Sequence, residues 1–199
     1  MTGLALYDIL WLRGRTLLIG LMLAYLPMGF TAGAAHAQGI QIHNVETRLV
    51  NNVYWLNADI DFDFSKKALE ALKNGVPITI ELDIEVSRHR DYLWDETIAT
   101  LEQRYQLQYH ALTKQYLLKN LNSTSIQSHS SLQSALAALG KIINFPLLDK
   151  NLLDGHQHYS ARMRASVDVE ALPVPLRLLA YISSGWRLSS EWYEWSLKH

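Results

Sequence analysis

The clearest rhythm in the chain runs from Val76 to Arg88, where Ile78, Ile80, Leu82, Ile84 and Val86 alternate with Thr79, Glu81, Asp83 and Glu85. Side chains of a strand point in turn to its two faces, so this stretch predicts a strand with one buried and one wet side. Gln38–Val50 starts the same way with Ile40 and Ile42 and stops at Asn51-Asn52, a pair that tolerates positive φ. Val53–Phe64 follows with Leu56, Ala58, Ile60, Phe62 and Phe64 on one face, and the two segments predict a hairpin. After a connector carrying His89, Arg90, Tyr92 and Trp94, Ala99–Ala111 sets Leu101, Tyr105, Leu107 and Tyr109 against a polar row. Lys114–Leu121 and Thr124–His129 are further strand candidates. Tyr159–Val169 buries Ala161, Met163, Ala165 and Val167 and turns Arg162, Arg164 and Asp168 outward, and Trp186–Leu197 predicts a closing aromatic strand.

Four segments break the period of two, three of them helical. Ser65 can cap a short helix carrying Ala68, Leu69, Ala71 and Leu72, which Gly75 ends. Ser131 opens a second, whose stripe is Leu132, Leu136, Leu139 and Ile143, and Pro175 suits the first turn of a third that runs to Ile182. Asn144–His158, with Pro146 and Gly155, predicts an irregular, greasy loop tucked under the sheet. Strands joined by turns outnumber helices, so the expected class is mainly β (α+β): an antiparallel β-sandwich or strongly bent sheet with two or three short helices.

The N-terminus follows another pattern. Arg13 and Arg15 precede the apolar run Thr16–Pro27, and small residues lead to Ala35-His36-Ala37. This predicts a secretory signal peptide over residues 1–37, cleaved before Gln38, with an uncleaved anchor as the alternative. The run is shorter than the roughly 20 residues that span a bilayer, so no stable membrane span is expected after cleavage. Residues 38–199 then form a single β-rich domain, and its expected location is the periplasm.

Composition narrows the partners. With 18 Lys+Arg against 19 Asp+Glu, the chain lacks the basic excess that nucleic acid or an acidic lipid surface selects. There is no Cys, which removes disulfides, thiolate metal sites and thiol nucleophiles.

Asp59, Asp61 and Asp63 alternate, and Glu70 falls at the twelfth place counted from Asp59, the oxygen-ligand spacing of an EF-hand loop. Phe64 stands where that loop needs Gly, and Ile60, Phe62 and Phe64 interleave with the aspartates. A solvated strand face explains the pattern better, and no metal site is expected. His156 and His158 lack a third ligand at a fitting spacing, and Ser183, Ser184, Ser189 and Ser190 lack a nucleophile-elbow context. No catalytic residue and no cofactor are predicted.

Trp192 falls on the opposite strand face from Tyr193, Trp195 and Leu197, which suit burial, so Trp192 is a candidate contact residue. Arg162 and Arg164 are candidates for an anionic ligand or partner, although pairing with the acidic rows of neighbouring strands is the simpler account of them.

The segments YQLQYHALTKQYLLKN, SLQSALAALGKI, YSARMRASVDVEALPVPLRLLAY and WRLSSEWYEW carry a likeness across most of the chain. Together they resemble an exported proteobacterial family of uncharacterised proteins, domain of unknown function 4390. That resemblance implies no catalytic residues; family members are often encoded beside a membrane sensor kinase of the nitrogen-regulation type, which implies an accessory role in envelope signalling. The expectation is a non-enzymatic interaction module whose partner is an envelope protein such as a sensor kinase. The alternatives are a carrier for a small apolar ligand near Leu136, Leu139 and Phe145, or a hydrolase.

Overall fold

The computed structural model describes residues 39–183 and 185–197; the expected leader, residues 1–37, lies outside them. β1 (Gly39–Val50) and β2 (Val53–Asp63) form the hairpin that the alternation predicts. Asn51 and Asn52 make its turn with φ of 50° and 62°. Positive φ at both central residues gives the turn the twist of the flanking strands, and asparagine adopts it at low cost.

Ser65 ends the hairpin and starts α1 (Lys66–Lys73), its hydroxyl accepting from the Ala68 N–H at 3.2 Å. The helix stops at Gly75, whose φ of 85° lets its N–H reach the Leu72 carbonyl while the Val76 N–H bonds Ala71. This paired closure is a Schellman motif, and it requires a residue free to enter the left-handed region.

β3 (Ile78–Arg88) and β4 (Glu96–His110) pair antiparallel, followed by β5 (Gln115–Asn120) and β6 (Ile126–His129). α2 (Leu132–Leu139) leads into β7 (Lys141–Asp149), and a single 3₁₀ turn precedes β8 (Tyr159–Val167). α3 (Val174–Ile182) and β9 (Tyr193–Ser196) complete the described chain. Among the described residues the strands form two antiparallel sheets, a three-stranded one ordered β1-β2-β7 and a six-stranded one ordered β6-β5-β4-β3-β8-β9. The described residues thus form a mainly β fold with three short helices, as the periodicity predicts.

The inward faces share one core. Ile80, Leu82, Ile84 and Val86 of β3 lie opposite Val167, Ala165, Met163 and Ala161 of β8, and Tyr54, Leu56, Ala58 and Ile60 come from β2. Alanine opposite Leu82 and Val86 leaves room for the large side chains, a volume match that close packing demands. Gly140 fixes one close approach: its carbonyl accepts from the Ile60 N–H at 2.8 Å, and a Cβ there would meet the Ile60 oxygen at 2.1 Å. Only glycine fits between α2 and β2.

Three local expectations are corrected. Asn144–His158 is not an irregular loop throughout, because β7 pairs with β2 as far as Asp149. Pro146 sits on this edge strand, where a missing N–H is tolerated, and Asn144 adopts a φ of 49°. A register shift between Tyr54 and Trp55 places an extra residue on β7, so Leu147 and Leu148 are both buried despite being consecutive. In consequence Ile143 belongs to β7 rather than to the α2 stripe, and it is 69% exposed. The aromatic strand is also shorter than Trp186–Leu197: Leu188–Ser190 only borders β8, through Val167 N–H to Leu188 and Ser190 N–H to Ala165, both at 2.8 Å. Burial falls on Trp186, Leu188 and Ser190, then on Leu197, so the inward parity switches within this segment.

Candidate functional site

The outer face of the six-stranded sheet gathers the predicted site residues. Odd positions of β3 and even positions of β8 face outward, so the pairing places Glu85 beside Arg162 and Asp83 beside Arg164. Arg162 donates to Glu85 through Nη2 at 2.6 Å and Nε at 2.9 Å, and Arg164 donates to Asp83 at 2.9 Å. Trp192, from the segment before β9, lies under both guanidinium groups, with 4.5 Å and 4.7 Å from their central carbons to its ring centroid. The structure therefore joins Trp192, Arg162 and Arg164 into one cluster. The indole is half-buried, and an anion would have to displace Glu85 or Asp83 to reach either arginine.

Next to this cluster is a polar groove of about 250 Å³ lined by Glu85, Ser87, Asp95, Thr97, Ser160, Arg162 and Glu194. Arg162 is bound to Glu85, and Asp95 is bound to His89 at 3.0 Å. Farther along the sheet, Arg104 pairs with Asp168 and lies 3.6 Å from Glu102. Burial pushes the Glu81 carboxyl above its ordinary range, helped by the carboxylates of Asp83, Glu102 and Asp168 and opposed by Arg104. This is a ladder of internally matched charges.

The aspartate row lies on the extended strand β2. Asp59 accepts from Lys141 at 2.6 Å and from Asn44 at 3.2 Å, contacts that hold its carboxyl below the usual range, and Asp61 lies 3.4 Å from His43. His156 and His158 are exposed in the loop before β8. Among the described residues no three His, Asp or Glu side chains are grouped to hold a metal ion. Leu139 is buried and Leu136 and Phe145 pack against the core, so this region is filled by the protein's own side chains.

Two further surfaces were less legible in the sequence. The first is the tip of the β3–β4 hairpin, where Tyr92 is 97% and Trp94 88% exposed, with Leu93 exposed between them. Its base is stiff: Arg88 and Arg90 both pair with Glu96, whose carboxyl they hold below the usual range, and the His89 N–H bonds the His158 carbonyl at 2.9 Å. The second is α3, which turns Val174, Leu178, Leu179, Tyr181 and Ile182 outward while burying Ala180. Arg177, the helix's one charged residue, donates to the Leu172 carbonyl at 2.7 Å. The signal was available: a helix apolar all round and covered on one side must expose the rest.

These surfaces lie at opposite ends of the sheet. The hairpin tip extends beyond the pair Arg88–Tyr159, whereas α3 follows the other end of β8, where the Asp168 N–H bonds the Thr79 carbonyl at 2.9 Å. No helix among the described residues is long and apolar enough to cross a membrane.

No curated protein and no solved structure matches the chain. The family model for the domain of unknown function DUF4390 matches residues 37–196, and the chain belongs to that family.

Proposed function

We propose that this protein is a non-enzymatic interaction module, exported to the periplasm by a leader over residues 1–37, that engages the extracytoplasmic part of an envelope protein such as a membrane sensor kinase. The observation that carries this reading is the hairpin tip. Tyr92, Leu93 and Trp94 stand in solvent on a base braced by ion pairs. Tryptophan and tyrosine dominate the energetics of protein interfaces because each ring buries a large area with few torsions to freeze. Solvent exposure of three large apolar side chains on a braced loop is otherwise an uncompensated cost.

A photocrosslinking residue in place of Trp94, introduced in cells, tests this against the same residue in place of Gln127 on β6. The expected outcome is an adduct to an envelope protein from position 94 only. Equal adducts from both positions, or none from position 94, overturn the proposal.

A further inference from the structure

We propose that the end of the molecule formed by α3 and α1 rests on the surface of an anionic lipid bilayer, with the apolar side of α3 in the interfacial region and the α1 lysines over the headgroups. This assignment does not depend on the identity of any protein partner at the hairpin tip.

Three observations converge on this end. The outward side of α3 is wholly apolar, from Val174 through Leu178 to Ile182, which are 70% and 83% exposed at the latter two positions. Residues four apart on a helix share a face, so these three form one stripe with Leu179 and Tyr181 at its border. Beside it, and in contrast to the chain as a whole, which has no basic excess, α1 concentrates positive charge: it exposes Lys66, Lys67 and Lys73 against a single carboxylate, Glu70. The two helices are fastened together: Lys67 Nζ donates to Ser183 Oγ at 3.3 Å, and Ser65 Oγ donates to the Gly185 carbonyl at 2.7 Å. The lysines therefore border the apolar stripe at its C-terminal end. Lys66 and Lys73 are seven residues apart and face the same way. Other carboxylates near this end are Asp63 and Glu170, the latter 3.9 Å from Arg177.

The third observation is where the chain enters. Gly39 pairs with Asp63, two residues before Ser65, so the 38 residues that precede it join the domain at this end. Those residues include the apolar run Thr16–Pro27 behind Arg13 and Arg15. The apolar helix, the basic flank and the point where the chain enters the domain thus share one end of the molecule, the end that a leader retained as an uncleaved anchor would tether to a bilayer.

Size favours lipid over protein. A nine-residue helix is about 13 Å long. One stripe of it falls short of the ~800 Å² that each partner contributes to a standard protein interface. A bilayer interface needs no matched surface, and an apolar stripe with lysines at its edge is the composition that it selects.

The absence of cysteine allows a direct test on the full chain. Leu178→Cys and, separately, Tyr92→Cys are labelled with an environment-sensitive fluorophore and titrated with vesicles of phosphatidylglycerol and phosphatidylethanolamine. The expected result is a severalfold rise with a blue shift at position 178, none at position 92, and a reduced response when Lys66→Glu and Lys67→Glu are added. Because the readout reports which surface meets lipid, attachment through the N-terminal run alone leaves position 178 silent and overturns the proposal. A rise at 178 that follows protein concentration without vesicles identifies a second copy as the occupant and also overturns it. A response unchanged by the two lysine substitutions refutes the role of α1.

Discussion

The outer face of the six-stranded sheet and the exposed side of α3 invite opposite misreadings. The sheet face carries the residues from which binding sites are built: two arginines, a tryptophan and a groove edged with carboxylates. Yet Arg162 is held by Glu85, Arg164 by Asp83, and the indole lies beneath both. α3 reads as ordinary core material, Val-Pro-Leu-Arg-Leu-Leu-Ala-Tyr-Ile, and stands uncovered. Residue type is a weak guide to function when its requirements are met at home. What marks a surface for use is a group left without the environment that its chemistry prefers.

The largest effect that separates the two regions comes from Trp192→Ala. Loss of the ring removes two guanidinium contacts and opens a half-buried space, for an expected loss of about 1–2 kcal/mol in urea unfolding. Crosslinking from position 94 is expected to persist in this variant. If instead stability is unchanged and the adduct disappears, Trp192 is a contact residue, and the sheet face rather than the hairpin tip carries the interaction.

How legible each region was depended on periodicity. β2, β3 and β8 could be read because one wet and one dry face force strict alternation, and β1, which is irregular between His43 and Glu46, is placed by its first residues and by Asn51-Asn52, which has few uses other than a tight turn. β7 could not, since the bulge at Leu147 and the left-handed Asn144 destroy the alternation by which a strand is recognised, and Pro146 argues against one. Trp192, Arg162 and Arg164 were readable as candidates one by one. Their union needed a register between β8 and the segment before β9 that no local pattern encodes. The reason for the hairpin tip is different. Tyr92 and Trp94 in a connector look alike whether the loop folds back onto the body or stands free, and the contacts that brace it, Arg88 and Arg90 on Glu96 and the His89 N–H on the His158 carbonyl, join residues that no local pattern pairs.

A smaller effect tests whether the charge ladder is as well matched as it looks. Glu81 is its weak rung: burial raises its carboxyl, three neighbouring carboxylates add to the rise, and Arg104 is already engaged by Asp168. A carboxyl raised in the folded state binds its proton more tightly there than in the unfolded chain. Its stabilising contribution is full below the unfolded value, about 4.3, and is lost as pH rises through the folded value. At neutral pH the ionised group therefore weakens the fold. Glu81→Gln, which keeps the shape of the protonated acid, is expected to raise Tm at neutral pH, with the gain vanishing below about pH 4. Thermal melts of both proteins across that range check it. A gain independent of pH would assign the effect to packing, and a loss at neutral pH would show that Arg104 needs the charge.

The smallest expected effect is the most informative about α3. Leu178 is 70% exposed, so Leu178→Ser removes little buried area and is expected to change stability by no more than about 0.5 kcal/mol. The same substitution deletes the centre of the apolar stripe and is expected to weaken vesicle binding. Such a separation is a signature of a surface maintained for something outside the fold, because a side chain that does nothing for the domain's own stability has no folding reason to be leucine. The comparison breaks if Leu178→Ser unfolds the protein or lowers Tm by several degrees. That result would mean the face is covered in the molecule as it exists in solution. Melting at two protein concentrations would then identify the cover: a Tm that rises with concentration requires a second copy, and one that does not requires a segment of the same chain.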